Sequence, residues 1–176
     1  MESVILGLLL IRPMTVYEIN TAFKTGISLF FSASYGSIQA TLQKLLSSGK
    51  ITFKESSDSG RLKKTYTITE KGNEAFFTWI NKPLPENKLE VNMLSKIYFL
   101  GVVKDVKSRR KILQDIQARI KIAETDLHKL DSDLRQGTIA TRNKMIFRYQ
   151  RKILDYGLGS FGFAGKWIND LLEEKE

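Results

Sequence analysis

The spacing of apolar residues changes twice along the chain, from helical to alternating and back to helical. Residues 1–11 are almost continuously apolar and predict a helix stopped by Pro13. Thr15 and Glu18 form a T-x-x-E capping box that opens a second helix. That helix carries Val16, Ile19, Ala22 and Phe23, and Gly26 is expected to end it in a left-handed turn. Residues 27–33 make a short apolar connector with no defined state. Ser34 is placed to cap a third helix, Tyr35–Ser48, in which Ile38, Leu42, Leu45 and Leu46 recur on one face and Gly49 supplies the stop.

The period then drops to two. Ile51 and Phe53 alternate with Thr52 and Lys54, Ser56–Gly60 reads as a turn cluster, and Leu62, Lys64, Tyr66 and Ile68 share one side of a returning strand. Lys63, Thr65 and Thr67 fall on the other side. Thr69 caps a fourth helix containing Phe76, Phe77, Trp79 and Ile80, and Pro83 and Pro85 mark a linker. The remainder is helical: Glu90–Val103, then about Lys107–Arg135, then about Thr141–Leu172. In the middle one of these, Leu113, Ile116, Ile120, Ala123, Leu127, Leu130 and Leu134 keep a strict heptad spacing, and Gly137 is expected to close it.

The last helix carries two apolar stripes. One holds Ile146, Tyr149, Ile153, Tyr156, Phe163 and Trp167; the other holds Leu154, Leu158, Phe161, Ile168 and Leu172. Two stripes need two partners. One is the heptad helix of the same chain and the other is expected to be a second subunit, with Leu154, Leu158, Phe161, Trp167, Ile168 and Leu172 as the dimerisation residues. The expected fold is mainly α with a small β-hairpin. An N-terminal winged helix-turn-helix (1–82) precedes a C-terminal helical dimerisation domain (83–176).

Composition narrows the function classes. Lys plus Arg exceed Asp plus Glu by 28 to 19, a net charge of +9 that favours a polyanionic partner. The excess is shared by both halves, so no single basic amphipathic helix suggests a membrane surface. The longest apolar run, Val4–Ile11, is far short of the ~20 residues of a membrane span. Glu2 occupies the position where a signal peptide would be positive. With no cysteine there are no disulfides or thiolate metal sites, as suits a reducing cytoplasm. His128 stands alone on a helix, and there is no phosphate loop, carboxylate pair or metal spacing. No enzyme activity and no cofactor are expected.

The candidate chemistry lies in the third helix and the hairpin. Opposite its buried stripe, that helix shows Gly36, Ser37, Ala40, Lys44 and Ser47, flanked by Gln39, Thr41 and Gln43, with Ser34 and Tyr35 at its start and no carboxylate. Small residues let a helix enter a major groove closely, Gln pairs with adenine, and Lys reaches guanine or phosphate. The hairpin adds Arg61, Lys63 and Lys64, the composition of a wing on a DNA backbone. Duplex DNA is the expected partner. A winged helix that binds protein instead is the alternative, and it predicts indifference to salt and polyanions.

Val16-Tyr17-Glu18-Ile19, Gly36-Ser37-Ile38, Leu42, Leu45, Gly49-Lys50-Ile51, Gly60-Arg61, Tyr66-Thr67-Ile68-Thr69-Glu70-Lys71-Gly72 and Trp79 together resemble the PadR family of bacterial regulators. The helical half resembles the C-terminal domain of the larger PadR subfamily shared with virulence activators. The resemblance implies a homodimer on a roughly palindromic operator, usually acting as a repressor. In some members a phenolic acid or other small aromatic compound held between the domains releases the DNA. One departure is Gln39, where the family usually has Tyr.

Overall fold

The computed structural model describes residues 1–58, 61–136 and 144–174. The chain divides into two compact units, Met1–Asp105 and Val106–Glu176. The division falls later than the expected boundary at 82/83, because the proline-rich segment and the helix after it belong to the first unit's core. Leu84, Leu89, Met93 and Phe99 are all buried there.

Helix α1 (Glu2–Ile11) is apolar around its circumference and buries Val4, Ile5, Leu6, Leu8 and Leu9. Its Gly7 is needed for space: a Cβ there would stand 2.7 Å from the Phe99 ring and 2.9 Å from that of Phe76. A short strand β1 (Met14–Thr15) leads into α2 (Val16–Thr25). The expected capping box is formed, with Glu18 N–H donating to Thr15 Oγ1 at 3.3 Å and Thr15 N–H donating to Glu18 Oε2 at 2.8 Å. Gly26 ends α2 with φ −126°, so the left-handed stop is not used; a Cβ there would stand 3.2 Å from the Tyr98 hydroxyl. The connector begins as a 3-10 turn, Ile27–Leu29, and Ser34 then caps α3 (Tyr35–Ser47). Gly49, at φ 69°, makes the left-handed exit from α3.

Strands β2 (Ile51–Asp58) and β3 (Arg61–Ile68) pair antiparallel from Ile51↔Ile68 to Asp58↔Arg61. Ser56, Ser57 and Asp58 are therefore in the ladder and not in the turn, so the hairpin projects further than its sequence suggested. Residues 59 and 60 lie outside the described residues. β1 joins β3 at Met14↔Tyr66, giving a sheet of order β1-β3-β2. Two residues are too few for a period-two pattern, which is why only the partner strand reveals β1. Helix α4 (Glu70–Asn81) is capped by Thr69 and pressed onto the α3–β2 joint. A Cβ on Gly72 would fall 2.0 Å from the Lys50 carbonyl oxygen, so the T-x-x-G sequence is a packing requirement.

The predicted helix 90–103 is in fact α5 (Leu89–Tyr98) followed by a 3-10 turn, Leu100–Val102. Its buried face holds Met93 and Lys96. Lys96 is only 3% exposed; its ammonium donates to the Ile80 carbonyl at 3.0 Å and to that of Lys82, satisfying the C-terminal carbonyls of α4. A lysine reads as surface in a hydrophobic pattern, so only its carbonyl partners reveal that Lys96 is inside.

In the second unit, α6 (Val106–Gln136) and α7 (Lys144–Glu173) form an antiparallel hairpin. Gly165 faces Ile120, Gly157 faces Leu127, and Arg151 pairs with Asp131 at 3.2 Å. Gly137 and Thr141 lie outside the described residues. Along the heptad seam Leu113, Ile116 and Ile120 are buried, Ala123, Leu127 and Leu134 are half-buried and Leu130 is exposed. On α7, Leu154 and Ile168 are buried within the chain, which corrects their assignment to a subunit contact. Leu158, Phe161, Trp167 and Leu172 are half-buried. The stripe left open is the other one: Ile146, Tyr149, Ile153, Tyr156 and Phe163 are each at least 60% exposed. Composition alone does not say which of two apolar stripes the neighbouring helix takes.

Candidate nucleic-acid interface

Helix α3 is held by Ile38, Leu42 and Leu45, all buried, and this fixes the direction of its other face. Ser34, Tyr35, Gly36, Gln39, Ala40, Gln43 and Lys44 are exposed on it, and no acidic residue occurs in the helix. Ser37 and Thr41 are turned further inward than expected. The Ser37 hydroxyl donates to the Ser34 carbonyl at 2.7 Å. The Thr41 hydroxyl donates to the Ser37 carbonyl at 2.8 Å and lies 3.1 Å from Met1 Sδ. Thr41 therefore seals α3 against the start of α1. At the N-terminus, the cap commits the Ser34 side chain to the Ser37 amide. The small residue Gly36 leaves the first turn open to an approaching phosphate.

The expected cations divide into paired and unpaired ones. Lys44 Nζ is 2.6 Å from Glu2 Oε1, and Lys50 Nζ is 3.3 Å from the same carboxylate's other oxygen. The hydrogen bond from Lys44 is the main reason that the Glu2 carboxyl titrates below its ordinary range. On the wing, register decides. Phe53, Glu55 and Ser57 share a face with Leu62, Lys64 and Tyr66. There Lys64 pairs with Glu55 at 3.3 Å and lies 4.5 Å over the Phe53 ring. The opposite face carries Thr52, Lys54 and Ser56 alongside Lys63, Thr65 and Thr67. These six residues are two lysines and four hydroxyl-bearing side chains. Lys63 and Lys54 are exposed on it. The side chain of Arg61 lies outside the described residues.

Two participants escaped the sequence reading. Lys54 was legible, because strict alternation from Phe53 puts it beside Lys63. Glu2 was not, because nothing local links residue 2 to residues 44 and 50. Among the described residues no cluster of acidic or histidine side chains could hold a metal. His128 is exposed on α6. No helix of the described residues is long and apolar enough to cross a membrane.

The motifs that build this surface are shared with known proteins. Residues 5–77 match the family described as transcriptional regulator PadR-like. The chain is 31% identical over 136 residues to the negative transcriptional regulator PadR of Bacillus subtilis (strain 168), covering 74% of each protein. The crystal structure of Bacillus subtilis PadR in complex with operator DNA aligns at 24% identity over 97% of this chain and 95% of that one, with a TM-score of 0.46. The same protein in complex with p-coumaric acid aligns at 25% identity over 97% and 95%, with a TM-score of 0.43. With that degree of identity over three-quarters of its length, the chain belongs to the PadR-like family of transcriptional regulators.

Proposed function

We propose that this chain is a homodimeric repressor that occupies a roughly palindromic operator, in the cytoplasm, and is released from it by a small aromatic ligand. The observation that carries the DNA-binding part is the carboxylate-free face of α3, connected through Gly49 and Lys50 to a wing whose outer face holds Lys54 and Lys63. Residues 1–82 supply the DNA-binding part, and the helical part beyond supplies dimerisation. The Gln39 and Gln43 amides read base edges in the major groove, and Gly36 brings the helix backbone close to a phosphate. Lys54 and Lys63 neutralise phosphates beside the recognition helix. Two such units engage half-sites about one helical turn apart, ~34 Å. The repressor sense and the aromatic effector rest on kinship with the Bacillus subtilis regulator, and no catalytic step is part of the reading.

The test is a titration of purified protein into duplex from upstream of its own gene and into scrambled duplex, at two salt concentrations. Tight, steeply salt-dependent binding to the upstream duplex alone is expected. Replacing Gln39 or Gln43 by Ala should change the preferred sequence, at about 1–3 kcal/mol for a lost bidentate contact. Binding to neither duplex at low salt would favour a protein-interaction module instead.

A further inference from the structure

We infer that each operator half-site carries two adjacent A·T pairs under the middle of α3: an adenine hydrogen-bonded by the Gln43 amide, and a thymine whose methyl group packs on Ala40. This inference rests on the DNA-binding reading and specifies the sequence that is read. The starting point is the middle of the exposed face. Ala40 and Gln43 are both exposed and stand three residues apart, so they are neighbours on the helix surface. Their separation along the axis is about 4.5 Å, close to one base-pair step of ~3.4 Å. Gln39 is next to Ala40 in the chain but about 100° around the helix, so Gln43 is the amide that shares a step with Ala40. Among the described residues nothing bonds the Gln43 amide, so its donor and its acceptor are both available. Gly36 lies one turn before Ala40, with open space where a side chain would stand. With no side chain there and only a methyl on Ala40, the helix can settle close to the base edges.

Each base presents a different set of groups in the major groove, and α3 suits only some of them. Cytosine offers an amino donor and calls for a carboxylate. The sequence of α3 contains none, and the nearby Glu2 carboxylate already pairs with Lys44 at 2.6 Å and with Lys50 at 3.3 Å. Guanine offers two acceptors side by side and calls for a cation. The cation of α3 is Lys44, and its contact with Glu2 draws the ammonium back toward α1. An amide does not suit guanine, because its oxygen would face one of those two acceptors. Adenine offers one acceptor, N7, beside one donor, the N6 amino group, and a glutamine amide complements both at once. Thymine offers a methyl group, and Ala40 is the aliphatic side chain that α3 exposes.

The competing role for Gln43 is a hydrogen bond to a phosphate. Such a bond carries no sequence information, so it predicts equal loss of affinity on every duplex when Gln43 is removed.

The experiment selects duplexes from a randomised pool with the full chain. In the selected duplex each adenine is then replaced in turn by 7-deazaadenine, which lacks N7, and each thymine by uracil, which lacks the methyl group. Both analogues keep their Watson–Crick pairing. At one position 7-deazaadenine should weaken wild-type binding by about fivefold, the value of one hydrogen bond, and leave binding by Gln43→Ala unchanged. At the neighbouring pair uracil should weaken wild-type binding by about fourfold and leave binding by Ala40→Gly unchanged. Selection repeated with Gln43→Glu should move the preferred base at the first position from adenine to cytosine, since a carboxylate accepts from the cytosine amino group. Half-sites whose most constrained positions under α3 are G·C pairs, or a 7-deazaadenine penalty that persists in Gln43→Ala, would overturn the inference while leaving the DNA-binding reading standing. A pool from which no duplex is enriched at low salt would overturn that reading itself.

Discussion

Helices α3 and α7 are built alike and finished differently. Each buries one stripe, Ile38, Leu42 and Leu45 in α3, and Leu154, Ala164 and Ile168 in α7. On α3 the opposite side is Gly, Ser, Gln and Lys; on α7 it is Ile, Tyr and Phe. A polar, acid-free face keeps its water until a polyanion displaces counterions, so its association is salt-dependent and reversible. An apolar face gains by leaving water, at about 25 cal/mol per Å² covered, and calls for a permanent partner. The buried stripes make the fold, and the opposite faces name the partner class.

The largest effect should come from testing the two stripes of α7 against each other. Replacing Ile153 and Tyr156 together by Asp should leave the unit folded, because both side chains are exposed, while converting the protein to a monomer. Operator affinity should then fall by at least ~100-fold through loss of the second half-site contact. Ile168→Asp is expected to behave oppositely, collapsing helicity in circular dichroism, because it introduces an unpaired charge at a position with no exposed surface. If both variants remained folded dimers, the division of α7 into an inner and an outer stripe would be wrong.

A smaller difference should separate the two faces of the wing. Lys63→Ala should reduce the slope of log affinity against log salt by about 0.9, the value for one phosphate contact. Lys64→Ala should change that slope less, because Lys64 already pairs with Glu55. Equal slopes for the two variants would show that register does not sort these cations.

Acid titration tests the cap of α2. Thr15 and Arg12 hold the Glu18 carboxyl down, from an ordinary 4.5 to about 2. A depressed carboxyl stabilises the fold fully above 4.5, and that contribution disappears as pH falls toward 2. Glu18→Gln should therefore lower Tm at pH 7, by the equivalent of about 1 kcal/mol for a lost cap, and the gap from wild type should close as pH falls through that window. A gap that stayed constant with pH would show that the ionised carboxylate is not what stabilises α2.

The smallest effect is expected at Glu2. Exposed ion pairs contribute about 0.2–1 kcal/mol, so Glu2→Gln should release Lys44 and raise affinity for duplex DNA of any sequence by a few-fold at low salt. Lower affinity in this variant would place Lys44 outside the interface.

The chain's local chemistry was enough to place most elements. Capping residues are short-range devices, so Thr15, Ser34 and Thr69 marked helix starts that the structure reproduces. Periodicity reports which residues are buried together, so the α3 stripe, the alternation of the hairpin and the α6 seam could be read directly. Those signals also yielded the winged helix and the acid-free face of α3. Tertiary structure decided what depends on a distant partner. Glu2 claims Lys44 across 42 residues, β1 exists only because β3 accepts it, and Lys96 is inside because the end of α4 needs donors. Between two apolar stripes of equal quality on α7, packing on α6 determined which became core and which stayed exposed.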